Sequence, residues 1–227
     1  QKTHLNTQQQ DRRKTMWALV NDSNNVTNVY GEFPSRITIN NRNYDKAELN
    51  AMSDSDKLAL KIYPVTAAAQ LDNNYYISND PTYAVSGNKV VQTITKSADK
   101  KLADEDAKDE EGNQLFELDG TTKIINYGLK TTAKNKATTD ANGLLQGFDW
   151  LIQRKVTAET AIPSAVVTYM AAIRTDHGNI CTAIDGASDM TAFIALHTDT
   201  FKGDGTVDVV ARVNRWTTDA NVKSYRR

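Results

Sequence analysis

The period of the apolar residues changes partway along the chain, and this constrains its fold more than any other feature. Before residue 97 the apolar positions alternate in short runs bounded by Asn, Asp, Ser and Gly, which is the period of half-buried strands. After residue 129 they recur every three to four residues, the period of amphipathic helices. A chain with both periods in separate halves is expected to be α+β: short antiparallel strands and hairpins with a small helix first, then an antiparallel helical hairpin. At 227 residues it has room for one large or two small domains. The expected organisation is a polar leader (1–15), a strand-rich domain (16–97), a charged loop region (98–128), a helical hairpin domain (129–200) and a C-terminal tail (201–227).

In the first half, Met16–Val20 and Val26–Tyr30 flank Asn21-Asp22-Ser23-Asn24-Asn25, a hairpin signal. Arg36–Ile39 reads as a third strand. Ala47–Lys61 reads as a helix, with Ser53 able to cap a second turn and Pro64 barring continuation. Tyr83–Val85 and Val90–Ile94 flank Ser86-Gly87-Asn88 and read as an exposed two-stranded ribbon. The acidic run from Asp104 to Glu111 lacks the spacing of a calcium loop and reads as solvated.

In the second half, Ala133, Ala137 and Ala141 form a small-residue stripe on a helix spanning Leu129 to Leu145, which Gly147 ends. Asp149 and Trp150 follow in what reads as a short exposed crossing. Pro163 then opens a second helix. There Val166, Met170, Ile173, His177, Ile180 and Ile184 are spaced 4, 3, 4, 3, 4, a heptad-like seam. A shorter helix over Asp189–His197 and a strand over Val207–Val213 are expected to follow.

Composition narrows the function. A net charge of −1 supplies no field for nucleic acid or anionic membrane. No apolar run approaches the ~18 residues that span a bilayer. Cys181 is the one cysteine, so it forms no disulfide within the chain, and it reads as a small apolar helix residue. His4, His177 and His197 have no compact metal spacing, and no phosphate loop, nucleophile elbow or dinucleotide fingerprint occurs. No catalytic residue, cofactor or metal is expected. The expected contact residues are Trp150 as an interface anchor, the seam residues Val166, Met170, Ile173, His177 and Ile180, and the basic Arg12, Arg13 and Lys14 as an electrostatic tether.

Leu144–Arg174, LLQGFDWLIQRKVTAETAIPSAVVTYMAAIR, resembles the C-terminal helical region of small tailed-bacteriophage tail proteins. These carry a DW…(I/V)xRK…IP…YxxA(I/V)R pattern between two helices. Met16–Val65 is similar to the opening of such proteins, MW…V…P…I…Y…L…L…PV. Tyr83, Val85, Gly87, Val90 and Thr93 fit their YxVxGxxVxxT hairpin. The chain departs from the pattern at Met170, where relatives often carry Arg, and in its leader before Met16.

The resemblance implies a virion protein made in the host cytoplasm and assembled into the phage tail, as a fibre, fibre adaptor or baseplate component. Its implied partners are other virion proteins, further copies of itself (a trimer by preference) and a host surface receptor. Neither nucleic acid nor membrane insertion is implied. A tail-fibre assembly chaperone and a receptor-polysaccharide-degrading enzyme are the alternatives.

Overall fold

A computed structural model of the chain describes residues 15–227, so Arg12, Arg13 and Lys14 lie outside the described residues. The chain is α+β and divides into two compact units between Ala98 and Asp99.

In the first unit, β1 (Trp17–Val20) and β2 (Val26–Tyr30) form the expected hairpin. Asn21 Oδ1 accepts the backbone N–H groups of Ser23 and Asn25 at 3.1 and 2.9 Å, and Asn24 adopts φ 64°. The side-chain amide therefore builds the turn that its position suggested. A second hairpin joins β3 (Arg36–Ile39) to β4 (Arg42–Asp45) through Asn40 and Asn41, both at positive φ.

The single helix expected over Ala47–Lys61 is instead two, α1 (Lys46–Ala51) and α2 (Asp54–Ala59). The Ser53 hydroxyl accepts Asp56 N–H at 3.2 Å and starts a new helix while Met52 is extended. Lys57 bridges the break. It is buried, its Nζ donates to Met52 O at 2.7 Å, and it lies 4.7 Å from the Trp17 ring centroid. A buried ammonium is tolerable here because a carbonyl and an aromatic face replace its water.

Lys61, at φ 57°, turns the chain into β5 (Ile62–Thr66). Pro64 sits inside this strand without breaking it. Val65 N–H donates to Met16 O at 2.8 Å, so the donor that Pro64 lacks points away from β1. The ladder on the other side starts only at Val65. Beyond β6 (Tyr76–Ser78), the hairpin of β7 (Thr82–Ser86) and β8 (Lys89–Thr93) turns at Gly87, φ 61°. It is no exposed ribbon. β8 pairs parallel with β5 and completes a five-stranded sheet in the order β2-β1-β5-β8-β7, with Val90 fully buried. The short β9 (Lys96–Asp99) pairs with β6.

In the second unit the charged stretch is not a loop. β10 (Glu105–Asp106) pairs with β11 (Ile125–Asn126), and single bridges link Lys108 to Gln114 and Phe116 to Lys123. Its acids supply turn acceptors. Asp109 accepts Asn113 N–H at 2.7 Å, and Asp119 accepts the N–H groups of Thr121 and Thr122, both at 2.8 Å. Hydrogen bonds from Thr122 and Thr121 hold the Asp119 carboxyl down at about 2. Asp104 accepts Gly128 N–H at 2.8 Å and the Thr131 hydroxyl at 2.9 Å, so it ties down the start of the next helix from 24 residues upstream, while Leu129 and Lys130 N–H donate to the carbonyls of Lys101 and Leu102.

That helix, α3 (Leu129–Gln146), packs as a hairpin with α5 (Ser164–Gly186). The pairs descend along α5 as they ascend along α3. Lys134 bonds Asp185, Thr138 bonds His177, and Ala141 packs in one cluster with Met170 and Ile173, so the helices are antiparallel. Between them the expected exposed crossing is a third helix, α4 (Asp149–Ala158). α6 (Met190–Leu196) follows, with Asp189 accepting Ala192 N–H at 2.8 Å as its cap. The expected strand over Val207–Val213 shrinks to β13 (Val207–Val209), paired with β12 (Thr200–Phe201). Asp199 takes Ala211 N–H at 2.6 Å, draws the buried Ala211 inward and ends the ladder.

Two glycines give opposite predictions. A Cβ at Gly128 collides with the carbonyl oxygens of Leu102 and Ala103, whereas a Cβ at Gly143, inside α3, meets nothing within 4 Å. Gly128→Ala should therefore lower the melting temperature in a calorimetric scan. Gly143→Ala should raise it, by a stabilisation of about 0.5–1 kcal/mol from helix propensity.

Candidate interaction surface

The residues that carry the motif lie on α4, on α5 and on the connection between them, residues 159–163. Glu159 ends α4 at φ 53°, and Pro163 caps α5. Three rows of side chains leave α4. Leu151 faces inward and is buried with Phe148, Val166, Tyr169 and Val222. Trp150 and Arg154, one turn apart, face the segment 216–227. Asp149 and Ile152 face an open groove of about 390 Å³ between α3, α4 and α5, also lined by Asn142, Leu145, Gln146, Met170 and Arg174.

Trp150 is half-buried and committed within the chain. Its indole N–H donates to Tyr225 O at 2.9 Å, and the guanidinium carbons of Arg227 and Arg154 lie 4.0 and 5.0 Å from the ring centroid. Arg154 Nε is buried without a hydrogen-bond partner among the described residues, and the ring face stands against its guanidinium. Trp150, expected as an interface anchor, is held within the chain by residues far away in sequence.

The expected C-terminal tail is a strap. Val222 is buried in the helical core and Trp216 packs against it. Asp176 accepts both the N–H and the hydroxyl of Thr217, at 2.7 and 2.6 Å. Arg226 pairs with Asp219 at 3.0 Å and donates to Gly143 O and Leu144 O at 3.3 and 3.0 Å. A guanidinium there satisfies carbonyls of the last turn of α3 that have no helical donor and suits the helix's negative end.

The seam is spent inside the chain, which corrects its expected place in partner contact. Val166, Ile173 and Ile180 are fully buried and Met170 nearly so, and α3, α4 and the strap cover Val166, Met170 and Ile173. His177 sits between helices. Thr138 gives its hydroxyl proton to Lys134 O at 3.0 Å, so it accepts from His177 at 3.0 Å, which fixes the proton on His177 Nε2. Cys181 Sγ lies 3.5 Å from the same nitrogen, and burial pushes its thiol pKa up, with the Lys134 charge opposing. Among the described residues no group of three or more His, Cys, Asp or Glu is placed to hold a metal, and no helix is long and apolar enough to cross a membrane.

No family, curated protein or solved structure that the chain was compared with matches it.

Like Arg154 Nε, the buried Tyr169 hydroxyl has no hydrogen-bond partner among the described residues, although the ring packs edge-on to Phe148 at 5.6 Å. Desolvation raises its pKa. Removing a hydroxyl that makes no bond also removes its desolvation cost. Tyr169→Phe should leave the melting temperature unchanged or higher. Arg226→Ala, which strands Asp219 and uncaps α3, should destabilise by about 1–2 kcal/mol in urea unfolding.

Proposed function

We propose that this protein is a structural component of a tailed-phage virion, in the tail fibre, a fibre adaptor or the baseplate. It acts by binding other virion proteins and further copies of itself, without catalysis or cofactor. The observation that carries the reading is the convergence of the motif. Asp149 and Ile152 from its start, and Arg174 from its end, line one open groove. Residues recurring at both ends of a 26-residue span are expected to share a surface if they are kept for contact rather than for folding. Further support comes from apolar side chains left at the surface of the second unit, Leu118, Phe116, Tyr127 and Phe201 among them, which suit a chain that works with neighbours on it. A host surface receptor remains a partner of the assembled tail in this reading.

Mass spectrometry of purified particles tests the proposal. The protein should appear at a stoichiometry comparable to known tail components. Abundance in the infected-cell lysate with absence from particles would instead identify an assembly chaperone. New reducing ends released from host polysaccharide by the purified chain would identify a degrading enzyme.

A further inference from the structure

A second groove, of about 330 Å³, lies between the start of α5 and the strap. Ser164, Ala165 and Thr168 line it from α5, and Thr218, Asn221 and Val222 line it from the strap. None of the described side chains that line it is charged, and every polar one is a hydroxyl or an amide. The Thr217 hydroxyl is committed to Asp176. Those of Ser164, Thr168 and Thr218 have no hydrogen-bond partner among the described residues. Further along α5, Thr175 and Thr182 turn back onto the carbonyls of Ala171 and Gly178, so the free hydroxyl of Thr168 is not the habit of this helix.

The helix adds donors of its own. Pro163 O accepts the N–H groups of Val166 and Val167, and no side chain caps the end. The N–H groups of Ser164 and Ala165 are thereby left over at the positive end of a 23-residue helix.

Tyr169 is a wall of the same groove. The residue is only 5% exposed, and its hydroxyl has no partner among the described residues. A helical side chain of this length leans back over the preceding turn, which here is Ala165, another wall of the groove. Burial raises the pKa of the hydroxyl, and the charges that act on it are Arg226, Asp219 and Asp176. The first two belong to the strap, and Asp176 holds the strap through Thr217. The hydroxyl is thus aimed between the start of α5 and the strap. It stays protonated there and is a donor without an acceptor, at a cost in stability that nothing in the chain offsets.

We propose that this groove binds a tetrahedral oxyanion, a phosphate or sulfate group, on the N–H groups of Ser164 and Ala165 and the hydroxyls of Ser164, Thr168 and Tyr169. Such a group offers the acceptors that a wall of N–H and O–H donors lacks. At a helix N-terminus neutral donors hold it without a basic side chain. The carboxylates closest to Tyr169 are already engaged, Asp219 by Arg226 and Asp176 by Thr217. Thr218 and Asn221, on the opposite wall, are left for the molecule that carries the group. The inference goes beyond the virion proposal and does not rest on it, since binding is measured on the isolated protein.

Amide-resolved NMR titration of the full chain with inorganic phosphate, and separately with sulfate, at constant ionic strength tests it. The Ser164 and Ala165 signals should move and saturate with at least one of the two salts, and the tighter of the two names the group. Tyr169→Phe, whose melting temperature should be no lower than that of the parent chain, should weaken binding by about tenfold, the effect of losing one hydrogen bond to a charged group. Thr168→Val, at an exposed position, should weaken it in the same direction. Glucose, uncharged and rich in hydroxyls, should leave both signals in place. No saturable shift with either salt, a shift with glucose instead, or a Tyr169→Phe chain that binds as tightly as the parent would each overturn the proposal.

Discussion

The helical unit depends on the corner between α3 and α4, and that corner depends on Gly147 having no side chain. Gly147 is in the right-handed helical region, at φ −63°, so no left-handed turn requires it. The requirement is space: a Cβ there comes 2.5 Å from Arg226 Cγ. With the hydrogen in place, Arg226 lies across the corner, 5.9 Å from the Phe148 ring centroid, and reaches the carbonyls of Gly143 and Leu144. Arg227 N–H adds a bond to Gly147 O at 3.1 Å. The strap is thereby held at the point where the chain turns from one helix to the next. Its remaining contacts, Val222 in the core, Thr217 on Asp176 and Tyr225 O on Trp150, are fixed on the same surface.

What the sequence made legible was whatever is encoded within a few residues. The Asn21 turn, the Ser53 cap and the Gly87 hairpin each need only a side chain and its neighbours, and each forms where its chemistry stands. Elements that depend on distant partners were not legible. α4 buries only Leu151 against the core, so it has no apolar stripe to declare a helix, and Gly147 and Pro163 bracket it with signals that read as a connection. Asp104 looks like one more charge in an acidic run, yet it holds the residue before α3 across 24 positions. Arg226 bonds across 82 and 83 positions. No local period records such contacts.

The seam of α5 shows a related limit. Periodicity identifies a face that must be covered, and that expectation was sound for Val166, Met170, Ile173 and Ile180. It does not identify the cover. For Val166, Met170 and Ile173, Ala141 from α3, Phe148 and Leu151 beside and within α4, and Val222 from the strap supply it, and they lie in three separate stretches of sequence. The surface expected to organise a threefold assembly is thus the interior of one chain. The groove was legible only as letters of a motif. Asp149 and Arg174 could be named in advance, but their meeting depends on the path of the chain through residues 159–163.

The density of the motif follows from the geometry of α4. At 100° per residue, a ten-residue helix presents three distinct directions with about three side chains on each. Leu151 takes the direction of the core. Trp150 and Arg154 take the direction of the strap, where the indole is held by a carbonyl and two guanidinium groups. Asp149, Ile152 and Val156 take the remaining direction, toward solvent. Little in such a helix is free to vary without loss, because neighbouring residues answer to different parts of the molecule. The first two directions account for folding: they close the core and anchor the strap. The third joins neither the core nor the strap: among the described residues its carboxylate has no partner, and its valine is 77% exposed. Residues that fold the unit and residues that stay at its surface therefore alternate along one short helix.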